Sequence, residues 1–185
     1  MSARVTVLSV VAVLALQALV LVLMGQPLLC ECGVFKLFEP AVMSVGNSQQ
    51  LADWYSPSHI IHGLIFYALL TWAWPRSSVM TRLLLAVGVE VAWEAIENTP
   101  IVIEHYRLQA LASGYTGDSV LNSISDTVMM MLGFAFARLA PWWASVVLAL
   151  GLEAVSLVAI RDSLVLNITG FFYRFDFVSR WQQGG

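Results

Sequence analysis

Three glutamates, Glu90, Glu94 and Glu97, stand in the run V-E-V-A-W-E-A-I-E-N-T-P from Val89 to Pro100, inside a segment otherwise apolar enough to cross a bilayer. At about 100° per residue, spacings of four and seven put these carboxylates within roughly a 60° arc of one helix face. A carboxylate near the bilayer centre costs on the order of 2.5 to 3.5 kcal/mol on insertion scales, so three on one stripe require partners, a cavity or protons. Two histidines, His59 and His62, lie three apart and can share a helix face. Further on, Ser119, Asn122 and Asp126 share a face behind Asp118. Imidazoles with carboxylates suit a borderline divalent cation such as zinc, and carboxylates with an asparagine suit harder cations. Carboxylates crowded in a low-dielectric site are also candidate general acids or proton carriers. The chain has no serine elbow, no phosphate-binding glycine loop and no His-Glu-x-x-His.

The elements that must position these groups are membrane helices. Of 185 residues, 59% are hydrophobic and 11% charged, with a mean hydropathy of +0.78; soluble chains run at about 45–50% and 25%. The expected fold is all-α, a polytopic transmembrane bundle forming one integral membrane domain over 1–185, with about five spans. No charge falls between Val5 and Cys30, which predicts a first span over about 5–29, retained because its apolar run exceeds a signal-peptide core of about 7–15 residues. Further spans are expected at about 58–74, 83–99, 119–139 and 141–160, with Trp54, Tyr55, Trp72, Trp74, Trp142 and Trp143 as interface anchors. Pro100 is expected to kink or end the third span. Beyond Arg161 and Asp162, apolar residues recurring at three and four from Leu164 to Trp181 predict one interfacial or re-entrant amphipathic helix over 162–181.

Arg4, Arg76, Arg82 and Arg138 fall on one side of this topology and Lys36 and Arg107 on the other, so the positive-inside rule favours a cytoplasmic N-terminus. Arg161, Arg174 and Arg180 oppose this if the fifth span is the last, which leaves a shallow re-entrant tail or a sixth short span as the alternatives. Nearly every ionisable group within the spans then falls in the half of the membrane beside the first loop. His59 and His62 begin the second span, Glu94, Glu97 and Asn98 end the third, and Asp118, Asn122 and Asp126 begin the fourth. Glu90 and Glu153 lie near mid-depth. Such convergence is what a pocket open to one aqueous face requires.

Each element also has a plainer reading. The histidines can be hydrogen-bonded interface residues, the glutamate stripe a structural network joined to Arg107 or Arg161, and Asp118 a helix cap. Glu153 and Arg161 are too far apart for a direct helix pair, so each is expected to meet another helix. Tyr115 and Trp93 read as packing or interface residues. Cys30 and Cys32, two residues apart, are poorly placed for a relaxed disulfide and read as two thiols at a helix end, with a soft metal or redox cycling as the alternative. Nine scattered Lys and Arg in a chain of net charge -3 give a nucleic acid no footprint.

The motifs S-Q-Q-L-A-D-W-Y-S-P-S-H-I-I-H-G (Ser48 to Gly63), E-V-A-W-E-A-I-E-N-T-P (Glu90 to Pro100), Y-T-G-D-S-V-L-N-S-I-S-D-T (Tyr115 to Thr127) and I-R-D-S-L-V-L-N (Ile160 to Asn167) resemble domain-of-unknown-function family 2585. The resemblance extends from about Cys30 to Trp181. It implies a small multi-pass protein of the bacterial inner (plasma) membrane and brings no catalytic residues to carry over. A shorter likeness, confined to the Asp-Ser-x-x-Asn-x-x-x-Asp run leading to Gly133, is to VanZ-like membrane proteins and carries no function across.

The expectation is an outward-facing site in which Glu94, Glu97 and Asp126, with His59 and His62 as metal ligands, bind a divalent cation or act as acid-base pairs on a lipid or lipid-linked substrate. Glu90, Asn98, Asp118, Asn122, Glu153, Arg107, Arg161 and Asp162 complete the expected polar network. The alternatives are a proton- or cation-coupled carrier, favoured by the depth of Glu90 and Glu153, and an assembly partner whose polar stripe binds another membrane protein.

Overall fold

The computed structural model describes residues 3–184 and is built of helices: α1 (Ala3–Leu23), α2 (Ser56–Ala73), α3 (Val79–Glu97), α4 (Pro100–Tyr106), α5 (Val120–Leu139), α6 (Trp142–Ile160), α7 (Leu164–Phe172) and α8 (Asp176–Gln182). Among the described residues there is no strand, only an isolated bridge between Glu39 and Asp53. Of the five helices expected to span, three, α1, α5 and α6, are long and apolar enough to cross a membrane by length and composition. The polar residues of α2 and α3 account for the difference: His59 and His62 lie on one, and Arg82, Glu90, Glu94 and Glu97 on the other.

Several expected boundaries shift, each for a local reason. The first helix ends at Leu23, before the expected 29, because Gly25 takes φ +90° and Pro27 follows. The third begins at Val79, where Ser78 accepts a hydrogen bond from the Thr81 amide. The third helix ends at Glu97, as Pro100 leads one to expect, and the proline itself opens α4, in the first-turn position where its missing N–H costs nothing. The cap of α5 is Ser119, accepting from the Asn122 amide, and not Asp118. The expected tail helix over 162–181 is two helices, broken where Tyr173 turns extended (φ −152°, ψ 125°) in an aromatic run of weak helix formers.

The segment between α1 and α2 is folded onto α5. The carbonyls of Ser48, Pro27 and Leu28 accept from the amides of Ser119, Val120 and Leu121, which have no partner within their own helix. Asn122 Nδ2 donates to the Gln50 carbonyl, and Gln49 Nε2 to that of Gly117. Asp53 is buried within this loop and accepts from the Ser48 and Tyr55 amides, yet burial still pushes its carboxyl above the usual range. Glu39, held by Lys36 Nζ at 2.7 Å, is shifted down.

The tightest crossing joins α2 to α5. A Cβ at Gly63 would land on the Met130 carbonyl oxygen and one at Gly133 on that of Ile60, so the two backbones touch where only glycine fits. Alongside this crossing, Val10, Ala86, Val87, Met130 and Phe134 form an apolar core shared by α1, α3 and α5. Gln17 ties α1 in, donating to the Ser123 carbonyl and hydroxyl and accepting from Thr127 Oγ1. The outer faces of α1 and α6 present large apolar side chains to the surroundings.

At the α6–α7 junction Asp162 is buried, accepting from the Tyr55 hydroxyl and the Ser163 amide. Burial pushes its carboxyl up to about 6, and the charge of Glu153 adds to the shift. Folded protein therefore binds this proton more tightly than unfolded chain. Stability contributed here is complete at low pH and is lost as pH rises from about 4 through the folded value. Thermal unfolding across this window should show the decline in wild type and a flatter profile in Asp162→Asn.

Candidate functional site

A cavity of about 1070 Å³ opens between α2, α3, α7, the start of α5 and the two long loops. Its walls include Phe66, Val89, Trp93, Ile168, Phe171 and Phe172, and its polar end gathers His59, His62, Glu90, Glu94, Glu97, Asp118 and Asp126. Among the described residues no lysine or arginine lines it.

Glu90 is fully buried and holds both imidazoles. His59 Nδ1 is 2.6 Å from its Oε1, and His62 Nδ1 is 3.2 Å from each oxygen. A neutral imidazole bonded to a carboxylate in this way carries its hydrogen on Nδ1 and leaves the Nε2 lone pair free, the arrangement that orients a metal-binding histidine. His59 Nε2 lies 3.7 Å from Asp126 Oδ2, and Nδ1 lies 3.5 Å from Glu94 Oε1. The opposite oxygens of both acids are occupied: Ser56 Oγ donates to Asp126 Oδ1 at 3.0 Å and Ser123 Oγ to Glu94 Oε2 at 2.6 Å. Glu94 Oε1 is buried with no hydrogen-bond partner, its nearest cationic neighbour being His59 Nδ1 at 3.5 Å.

Next to these, Tyr106 and Glu97 both line the cavity. Asn98 clamps Asp118 from both sides, donating through Nδ2 to Oδ2 at 2.7 Å and accepting the Asp118 amide at 2.7 Å. Tyr115 Oη also donates to Asp118, at 3.0 and 3.1 Å from its two oxygens. Burial pushes the Asp118 carboxyl up to about 6 against the opposing pull of Asn98 and Tyr115. Three sets of groups have ligand atoms within 4.8 Å of one another: His59, His62 and Glu90; His59, Glu94 and Asp126; and Glu94, Glu97 and Asp118.

The structure thus gathers seven of the expected residues and disperses others. Asn122 locks the first loop to α5, and Glu153 accepts from the amides of Leu164 and Val165 at the start of α7. Arg107 Nε donates to the Tyr115 carbonyl and Arg161 Nη1 to that of Trp181, so neither joins the glutamate stripe. Glu90, expected to stand apart from the outer cluster, is its anchor. Tyr115, read as packing, faces Asp118, and Tyr106 and Ser123 were not singled out at all. Ser123 carries a signal in its spacing of three to Asp126; Tyr106 carries none, because it lies in the short helix α4, outside every expected span. The two cysteines are a disulfide and not two thiols: the turn through Gly33, with φ +74°, holds their Cα atoms 5.2 Å apart, within bonding range. Cys32 lies at the cavity lining, with Gln50 Nε2 3.3 Å from its sulfur.

Residues 21–184 match a protein family described as "Protein of unknown function (DUF2585)". The chain is similar to a UPF0314 protein of Sphingopyxis alaskensis, 46% identical over 174 residues that cover 94% of this chain and 93% of the relative. A UPF0314 protein of Agrobacterium fabrum is 49% identical over 169 residues, covering 91% and 85%. One from Paracoccus denitrificans is 46% identical over 170 residues, covering 92% and 88%. No solved structure matches.

Proposed function

We propose, for a chain that belongs to the DUF2585 family, a function read from its site: a metal-dependent membrane enzyme acting on a lipid or lipid-linked substrate, with His59, Glu94 and Asp126 as ligands to a divalent cation such as zinc. The observation that carries this reading is the unpartnered, buried Glu94 Oε1 beside His59 and Asp126, in a cavity whose carboxylates meet no lysine or arginine. Charge taken out of water needs a counter-charge, and a cation supplies it. Such a cation would polarise a carbonyl or phosphoryl oxygen and acidify a bound water. Glu90 orients His59 from behind, and Glu97, at the same polar end of the cavity, would serve as the acid-base group. Apolar walls next to this polar end suit a substrate with one polar head and hydrocarbon behind it.

The setting that fits this reading is a five-span protein of the bacterial inner membrane, with a cytoplasmic N-terminus and the cavity open to the outer face. Helices α2 and α3, of 18 and 19 residues, approach the roughly 30 Å hydrocarbon thickness, and α2 turns His59 inward as α3 does Glu90 and Glu94. The Cys30–Cys32 disulfide beside the cavity suits an oxidising compartment. A carrier reading is opposed by Ala86, Val87, Met130 and Phe134, which pack one to two turns beyond Glu90 and Asp126.

Detergent-purified protein, stripped with chelator and reloaded, should retain zinc through gel filtration, and His59→Ala should lose it. In nanodiscs of bacterial polar lipids, mass spectrometry should show a lipid converted only by the metal-loaded form. Wild type that retains no zinc overturns the metal assignment, and retained zinc without lipid turnover overturns the substrate.

A further inference from the structure

We infer that the end of the bundle away from the cavity carries a lipid-phosphate site, in which the buried guanidinium of Arg82 binds the phosphodiester of an anionic phospholipid. Arg82 stands in the first turn of α3 and is 7% exposed, and its Nε is buried with no hydrogen-bond partner among the described residues. Its burial follows from register. Arg82, Ala86, Glu90 and Glu94 recur at four and form one stripe, so the face that carries the glutamates into the cavity also turns Arg82 inward. One turn further along, Ala86 and Val87 join Val10 of α1 and Phe134 of α5 in the apolar core.

A guanidinium stays charged, and a buried charge needs an opposite one. None of the 12 acidic residues falls within 1–30, 54–89 or 127–152, the segments that hold α1, α2, the first half of α3, most of α5 and the start of α6. Glu90, the nearest acid on α3 itself, lies about 12 Å further along the helix axis, and its oxygens already hold His59 and His62. The anion must therefore come from outside the chain. Arg4 in the first turn of α1, Arg76 just before α3 and Arg138 in the last turn of α5 are exposed at the same end and make its potential positive. The first amides of α3 add to it, since they have no carbonyl to bond within their own helix. A planar guanidinium matches two phosphate oxygens at once. Met80 and Leu85, two and three residues from Arg82, are exposed and offer apolar surface to acyl chains, which a free phosphate ion would leave uncovered. The positive end selects a headgroup of net negative charge over a zwitterionic one.

Delipidated protein in detergent, titrated with phosphatidylglycerol and followed by native mass spectrometry, should retain about one lipid per chain against collisional removal, and phosphatidylcholine should bind more weakly. Arg82→Met keeps the apolar stem and removes the charge. It should elute as wild type does and bind phosphatidylglycerol about 10- to 100-fold more weakly, the loss expected of a hydrogen bond between charged groups. Arg138→Met, at the same end but exposed, should weaken binding less than about fivefold. Arg82→Lys, which keeps the charge and loses the fork, serves where the methionine variant fails to elute, and should still bind several-fold more weakly than wild type. Equal weakening by Arg82→Met and Arg138→Met reduces the effect to surface charge and overturns the site, as does wild type that retains no phosphatidylglycerol. Inorganic phosphate that displaces the bound lipid assigns Arg82 to a free anion and overturns the lipid. The site shares no residue with the cavity, so these outcomes and those of the zinc experiment are independent.

Discussion

Glu94→Gln should abolish zinc retention and, in the metal-free state, make the protein more stable. The two effects have opposite signs because Glu94 is asked to do two things. In the absence of an ion it is a buried carboxylate with one oxygen unpartnered, in a cavity shared with Glu90, Glu97, Asp118 and Asp126. Neutralising it relieves repulsion and desolvation, and the amide oxygen can still accept from Ser123 Oγ. With metal present, the wild type gains about 2.7 kcal/mol at a ligand concentration 100 times the Kd, and the variant gains none. Thermal unfolding with and without zinc therefore gives a crossing pattern: the variant melts higher without metal and fails to shift with it. A variant that melts lower in both conditions shows Glu94 to be a structural hydrogen-bonding residue, and sinks the metal assignment.

Gly133→Leu should unfold the bundle or leave it unable to assemble the site. At Gly133 even a methyl group would meet the Ile60 carbonyl, so a leucine forces α2 away from α5 by several ångströms. That displacement breaks two things together. It opens the core at Met130 and Phe134, and it withdraws His59, one residue from Ile60, from Asp126 on the facing helix. Losses above about 4 kcal/mol follow from overpacking of this kind combined with a disrupted polar network. Gly151→Ala on α6, where nothing lies within 4 Å of the added carbon, is the control and should stay within about 1 kcal/mol of wild type. Detergent-resistant folding measured by gel filtration and thermal unfolding separates the two. Equal behaviour of the two variants would remove the α2–α5 contact as the determinant of the site.

The acidic character of the site was legible because helical periodicity is local. Glu94 and Glu97 share a face at any tertiary arrangement, as do His59 and His62, and the cost of placing them in an apolar chain marks them as a cluster in search of a partner. The α-helical class and the three helices apolar enough to cross a membrane were legible for the same reason. Capping was less so. Asp118 and Ser119 are both good caps, and the choice fell to Ser119 because Asn98, twenty residues earlier in the chain, captures Asp118. Pro100 has one local meaning in a helix interior and another at its first turn, and only the packing of α4 beneath the cavity decides between them.

What the sequence determined by itself is therefore which residue types lie on which helix faces, because those depend on neighbours three and four positions away. What the tertiary structure decided is the pairing of faces: Glu90 between two histidines, Glu94 against Ser123, Asp118 beneath Tyr115, and Arg107 and Arg161 turned to backbone carbonyls elsewhere. The meeting of Ser56 and His59 with Asp126 depends on how closely α2 approaches α5, and that distance is set by two glycines whose significance appears only when the opposing backbones are in place.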